Sequence, residues 1–324
     1  MSVSLAVTGP YPRRPNFAKV VSRFLGRKVS KQDYDRAVAK EIEHYITSMK
    51  DYGLDYFTAG LMRFDDPVDA VVSLLKNVEK NGLVRFYDNN FYYRVPVIKG
   101  KLEPSEGEDY AKDLETARNV IRDLKLKAKL KLTVVGPLSF ALLSEDKHYN
   151  DLKALMSDYA SAINSFMKAE KNMYDAVEVI EPSFFQKGLA TKVLQAYKEV
   201  YPTLLEGINK EVHLISYFNL RADRLEDFTS LKADYYGFDL TEDRKKLAAF
   251  VYRAVKGKGV YLGLLDSRNT KVEKLTSLRR FVEGARGAGA KEVIVGNSSL
   301  LDLIPEVIIH RKFKVASGLK GLAG

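Results

Sequence analysis

The chain has no cysteine in its 324 residues. That excludes disulfides and every metal site built on thiolate. It also removes one heat-labile residue type, and with abundant Lys, Glu and Tyr this points to a thermophilic source. Histidine is scarce. His44, His148, His213 and His310 are the only four, and no two stand at a metal-ligand spacing, so no metal is expected on this chain. No apolar run exceeds strand length, so neither a bilayer span nor a membrane partner is expected. The opening MSVSLAVTGPYPRR lacks the basic-then-apolar order of a secretory signal, which makes the cytoplasm the expected location. No Gly-x-Gly-x-x-Gly follows the first strand-like run. No RNA-recognition motif or ordered Arg/aromatic pattern is present, so nucleic acid is not an expected partner.

What is present is the mixture of a soluble, enzyme-like chain: 46% hydrophobic and 29% charged residues. The length is enough to bury a core without disulfide or metal staples. Lys and Arg number 52 against 42 Asp and Glu, a formal charge of +10. Such a balance favours anionic partners, and the competing reading is a solvated lysine-rich surface.

Along the chain the pattern is strand then helix, repeated. Nine apolar, β-branched runs have strand length: residues 4–9, 54–60, 93–100, 129–137, 175–182, 211–218, 233–240, 259–266 and 292–298. Helical patterns lie between most of them, at 30–53, 105–127, 151–173 and 276–290. The first begins at a Ser30 cap and ends at Gly53. Continuous apolar strands alternating with helices imply a parallel sheet covered by helices. The count fits an α/β (β/α)8 TIM barrel, a single domain. A doubly wound open sheet is the alternative. Nine strands are one too many for a barrel. YRVPVIKG (93–100), which follows no clear helix, is the expected accessory. The barrel is expected over residues 1–309. The basic, acid-free 310–324 is then a loosely ordered tail or a docking strand for an acidic partner.

A barrel keeps its chemistry at the C-terminal ends of its strands. Glu181 ends one strand before Pro182, and Asp239 and Asp266 end later ones. If they converge, they are candidate catalytic acids or bases, or ligands for Mg²⁺ or an amine, in a stand-alone barrel enzyme. Otherwise each carboxylate is satisfied by loop backbone. Adjacent Arg13 and Arg14, with Lys19, follow the first strand, and paired guanidinium groups suit carboxylates. Asn297, Ser298 and Ser299 end the last strand before a short helical turn, either a phosphate site or a helix cap.

Several of these strand ends resemble those of cobalamin-independent methionine synthase. GPYPRRP (9–15) is similar to that family's opening Gly-x-Phe-Pro-Arg stretch, and NNFYYRVPVIKG (89–100) to its Asn-x-Tyr-x-Tyr-x-Val-Pro segment. VVGPLSFALLS (134–144) resembles its Gly-Pro strand end. VEVIEP (177–182) resembles its Gln-Ile-Asp-Glu-Pro strand, with Ile180 in place of Asp. LISYFN (214–219) stands where a zinc-barrel strand carries His-x-Cys, and LDSRNTKVEKL (265–275) resembles a later Arg-Asn loop. The motifs keep their order over nearly the whole chain.

The family joins two barrels. The C-terminal one holds zinc and activates homocysteine. The N-terminal one has lost the metal and helps bind the polyglutamyl methylfolate. Some archaeal relatives are single-barrel proteins. On the matching strands the zinc His and first Cys fall on Leu214 and Ser216, the second Cys on Ser298, and the ligand Glu near Asp239. The resemblance therefore implies a metal-free N-terminal-type barrel made as a separate polypeptide, with zinc on a partner barrel. It implies a methylated folate or pterin as donor, with its anionic tail held by Arg13, Arg14, Lys19 and Arg85. Tyr87, Phe91, Tyr92 and Tyr93 could stack on a pterin, or pack the core and rim. A non-catalytic binding barrel is the remaining reading.

Overall fold

The fold is seen in a computed structural model that describes residues 3–86, 91–241 and 244–322. Eight parallel strands close into a barrel: β1 (Ser4–Ala6), β2 (Tyr56–Thr58), β5 (Lys129–Val135), β7 (Ala176–Ile180), β8 (Glu211–Ser216), β9 (Tyr235–Asp239), β10 (Gly259–Leu265) and β11 (Glu292–Asn297). They follow one another around the ring in sequence order, and β11 closes on β1. The other three strands, β3 (Leu75–Arg85), β4 (Tyr92–Pro104) and the short β6 (Glu145–Asp146), form a separate sheet. The expected accessory run at 93–100 is thus β4, paired antiparallel with β3. β3 escaped the strand pattern because KNVEKNGLVR is almost wholly exposed and has no buried face to impose a period of two.

The helices start and stop where local chemistry dictates. Ser30 accepts the Asp33 N–H at 3.1 Å and caps the helix Lys31–Met49. That helix tightens into a 3₁₀ turn and ends at Gly53, whose φ of 67° a side chain would resist. Asp151 likewise caps Leu152–Ala169.

The register of the ladders sorts each strand into an inward and an outward set. Thr133, Glu178, His213 and Tyr235 pair successively across β5, β7, β8 and β9 and face the interior. Val179, Leu214 and Tyr236 pair on the alternate positions, as do Ser216 and Phe238. Phe238 and Tyr236 pack on Phe228 in the helix layer, so this second set faces outward.

The basic C-terminus is not a loose tail. Residues Glu306–Ser317 form the last barrel helix, with Ile309, Lys312, Phe313 and Ala316 buried at helical spacing. Lys312 donates to Glu273 at 2.9 Å, and Lys320 pairs with Asp55 at 2.8 Å beyond the helix. The expected boundary at 309 therefore cuts through a helix of the barrel. No helix among the described residues is long and apolar enough to cross a membrane.

Candidate functional site

Inward positions from the middle of the barrel to its strand ends carry an unusually polar set. Lys131 and Glu178, both without solvent exposure, form an ion pair inside the barrel. Glu178 Oε1 also accepts the Gly9 N–H at 2.8 Å and the Thr133 hydroxyl at 3.0 Å. Lys131 reaches Thr8 Oγ1 at 3.4 Å and lies 5.8 Å from the centre of the Tyr261 ring. Burial pulls its ammonium pKa down, while Glu178 opposes that shift. Tyr261 donates to the Asn297 carbonyl at 2.9 Å. The Asn297 side chain accepts the Thr8 N–H at 2.9 Å and donates to Thr8 O at 2.8 Å, tying β11 to the end of β1. Asn297 is thus a strand tie, neither a phosphate ligand nor a helix cap. Glu178 and Lys131 were absent from the sequence candidates. The available signal was a charged residue at an alternate position of an otherwise apolar strand.

Above this layer Arg268 bridges two of the expected carboxylates. Its Nη2 lies 3.5 Å from Asp239 Oδ2, and its Nε 3.9 Å from Asp266 Oδ1. Asp239 is buried and holds the Thr241 amide and hydroxyl at 2.9 and 2.6 Å and the Phe218 N–H at 3.3 Å. Burial raises its pKa. Asp266 accepts the Arg268 N–H at 2.9 Å, so it is a loop former as well. Beside it a recess of about 380 Å³ is lined by Thr241, Asn269, Lys271 and Glu273.

The β3–β4 hairpin folds over this end. Phe86 packs on Phe91, Tyr93, Tyr217 and Phe218, and the Arg268 guanidinium lies 5.6 Å from the Phe218 ring centre. Phe91 and Tyr93 are therefore packing residues, and Tyr93 donates to Leu143 O at 2.9 Å. Tyr92 is exposed, and Tyr87 lies outside the described residues.

Glu181 does not join Asp239 and Asp266. Three residues after Glu178, it falls on the outward set and is fully buried between barrel wall and helices. Its Oε1 accepts the Ser139 N–H at 2.6 Å, and its Oε2 has no hydrogen-bond partner. Burial pushes its pKa up to about 7. The neighbouring groups are Gly136 and the rings of Tyr159, Tyr197 and Tyr201, not an open mouth. The expected trio is thus split, and no group of three His, Asp or Glu able to hold a metal occurs among the described residues.

The expected anion-binding cations divide in two. Arg13 donates to Met62 O and Phe64 O at 2.8 and 2.5 Å and pairs with Asp65 at 3.3 Å. Arg14 is held by the buried Glu41 through two bonds of 3.0 and 2.7 Å, and Glu41 also takes the Arg14 N–H. Both guanidinium groups fix the loop after β1. Lys19 and Arg85 keep exposed side chains.

The positions matching the family's zinc ligands do not fit zinc. Leu214 and Ser216 lie on the outward set of β8, Ser298 bonds Ser267, and the oxygens of Asp239 are engaged by Thr241, Phe218 and Arg268. The histidines serve structure. His44 contacts Glu306 at 2.8 Å, His310 meets the Tyr52 hydroxyl at 3.1 Å, and His213 contacts Glu211 at 2.8 Å. The His148 N–H is held by Asp146 at 2.9 Å.

Fold and site together define a closed (β/α)8 barrel whose strand ends are hydrogen-bonding and covered by an aromatic hairpin. The chain belongs to the family of the cobalamin-independent synthase N-terminal domain, whose model matches residues 75–290. It is 27% identical over 240 residues to the 5-methyltetrahydropteroyltriglutamate–homocysteine methyltransferase of Neisseria meningitidis serogroup C, covering 72% of this chain and 30% of that protein. The chain thus spans under a third of that relative's length. It is 24% identical over 292 residues to the methionine synthase of Sulfolobus acidocaldarius, covering 86% of this chain and 80% of that one. The B12-independent methionine synthase of Shewanella sp. W3-18-1 shares the fold at TM-score 0.83, with 13% identity and coverage of 99% and 98%. A putative Listeria monocytogenes vitamin-B12-independent methionine synthase matches at TM-score 0.77 and 14% identity over the full length of both chains.

Proposed function

We propose that this chain is the N-terminal-type barrel of a split methionine synthase. It helps bind a methylated folate or pterin and shapes the cleft in which a separate zinc-bearing barrel transfers the methyl group to homocysteine. The observation that carries this reading is the membership in the N-terminal-domain family together with a donor set at the zinc positions that cannot hold zinc. Zinc keeps a thiol as thiolate at neutral pH, so sulfur activation falls to the partner.

The chain's own contribution is recognition. Exposed Lys19 and Arg85 meet the anionic tail of the donor, while Arg13 and Arg14 hold the loop that presents Lys19. Asp239, Arg268 and the Phe86–Phe218 cluster form the rim against which the donor is placed.

The test is assembly. The purified chain is mixed with a zinc-bearing barrel of the same family from the same source, and the mixture is followed by analytical ultracentrifugation with and without the methylated donor. A 1:1 complex strengthened by the donor supports the reading. Two independent species under both conditions contradict it.

A further inference from the structure

The formal charge of +10 is not spread over the molecule. Residues 1–243 carry 35 Lys and Arg against 36 Asp and Glu, whereas residues 244–324 carry 17 against 6. The excess therefore lies in the last quarter of the chain. That quarter supplies three helices, Arg244–Ala254, Leu275–Gly287 and Glu306–Ser317, which follow the adjacent strands β9, β10 and β11 and pack side by side. They form one wall of the barrel.

On this wall and its lower edge Arg253, Arg279, Arg280, Lys291, Arg311 and Lys314 are exposed, and none has an ion-pair partner among the described residues. Elsewhere several surface cations are paired with acids, as in Lys31–Asp35, Lys112–Glu108, Arg118–Asp175 and Lys129–Glu211, and those unpaired among the described residues, such as Lys28, Lys127, Lys171 and Lys192, are scattered along the sequence. Among the described residues the exposed acids of the wall region are Glu283 and Glu292, and Glu292 is bonded to the Tyr235 hydroxyl.

We propose that this wall is a docking surface for the phosphate backbone of a nucleic-acid duplex. Charge complementarity identifies a polyanion, because lysines and arginines that outnumber the acids around them gain from the release of condensed counterions. A protein partner would need an apolar anchor at the centre of its footprint. Among the described residues the wall offers as large exposed apolar side chains only Phe250, which lies 4.9 Å under Arg253, and Val307. A single strand would need aromatic platforms for its bases, and the same scarcity argues against it. The contacts are to phosphates, so the binding is independent of sequence. It is also separate from the strand-end site, and its failure would leave the proposed function untouched.

The test is fluorescence anisotropy with a labelled 20-base-pair DNA duplex between 50 and 200 mM KCl. Four or so phosphate contacts give a log–log salt slope of about −4. The quadruple variant Arg279→Glu, Arg280→Glu, Arg311→Glu and Lys314→Glu should weaken binding at least about tenfold and flatten the slope by roughly one per residue. A control variant reverses the same number of exposed charges elsewhere: Lys28→Glu, Lys127→Glu, Lys171→Glu and Lys192→Glu. It should bind like the parent, and circular dichroism confirms that both are folded. No saturable binding of the parent at 50 mM KCl overturns the proposal. So does an equal loss in the control, or tighter binding of poly-glutamate or a single-stranded oligonucleotide than of the duplex.

Discussion

Lys131 and Glu178 pair inside the barrel with neither side chain exposed, and Glu178 simultaneously holds the Gly9 N–H at 2.8 Å. One carboxylate thus joins β5 and β7 to Gly9 in the loop after β1. Lys131→Met would leave that carboxylate charged and uncompensated, at a cost of about 3–5 kcal/mol. The double variant Lys131→Met, Glu178→Gln removes both charges but keeps an acceptor for Gly9, and should recover most of that loss. Urea unfolding of the parent, the single and the double variants measures the difference. A double variant no more stable than the single would show that the pair matters for packing rather than for charge.

Glu181 gives a pH dependence of known sign. Burial holds its carboxyl at about 7, above the ordinary 4.5. A raised folded pKa means that stability is complete below about 4.5 and is lost as pH rises through about 7. Glu181→Gln keeps an acceptor for the Ser139 N–H and removes the charge. It should therefore match the parent near pH 4.5 and exceed it by up to about 3 kcal/mol at pH 8. Thermal melts at pH 5, 6, 7 and 8 would show the gap widening. A gap that narrows with pH contradicts this environment for Glu181.

After β1, Arg14 is tied into the fold, and Lys19 is the residue proposed to meet the donor. Arg14 and Glu41 form charge-assisted bonds at 2.7–3.0 Å, with Glu41 buried and Arg14 39% exposed. Glu41→Gln should lower stability by about 1–2 kcal/mol once screening at Arg14 is discounted. Lys19 is exposed on the helix Pro15–Leu25, and Lys19→Ala should leave the melting temperature unchanged. In calorimetric titration with a triglutamyl methylfolate it should weaken binding about two- to fivefold. Loss of stability in Lys19→Ala with no change in binding would reverse the assignment.

These predictions show where the sequence was legible. The barrel was readable because its strands are mostly apolar, buried on both faces and end in Gly, Pro or polar residues, and Ser30 and Gly53 mark helix ends by local chemistry. β3 was not readable, because an exposed hairpin has no buried face to set a period. The last helix was masked by its own charge: Arg311, Lys312 and Lys314 hid the buried spacing of Ile309, Phe313 and Ala316. Glu181 drew attention by standing at a strand end, but strand ends alternate like strands. Counting by twos makes Glu178 the inward carboxylate and Glu181 the outward one. The engagement of Arg13 by Met62 O and Phe64 O depends on backbone some 50 residues away, which no local pattern reveals.

In the proposed function this barrel supports a methyl transfer whose sulfur chemistry belongs to another polypeptide. The decisive experiment is single-turnover transfer from a polyglutamyl methyl donor to homocysteine, with the zinc-bearing barrel alone, this chain alone, and the two together at equal concentration. No transfer is expected from this chain alone, and the mixture should run at least tenfold faster than the zinc barrel alone. The rate should also saturate with the concentration of this chain. Transfer by this chain alone, or a mixture no faster than the zinc barrel alone, would contradict the proposed function.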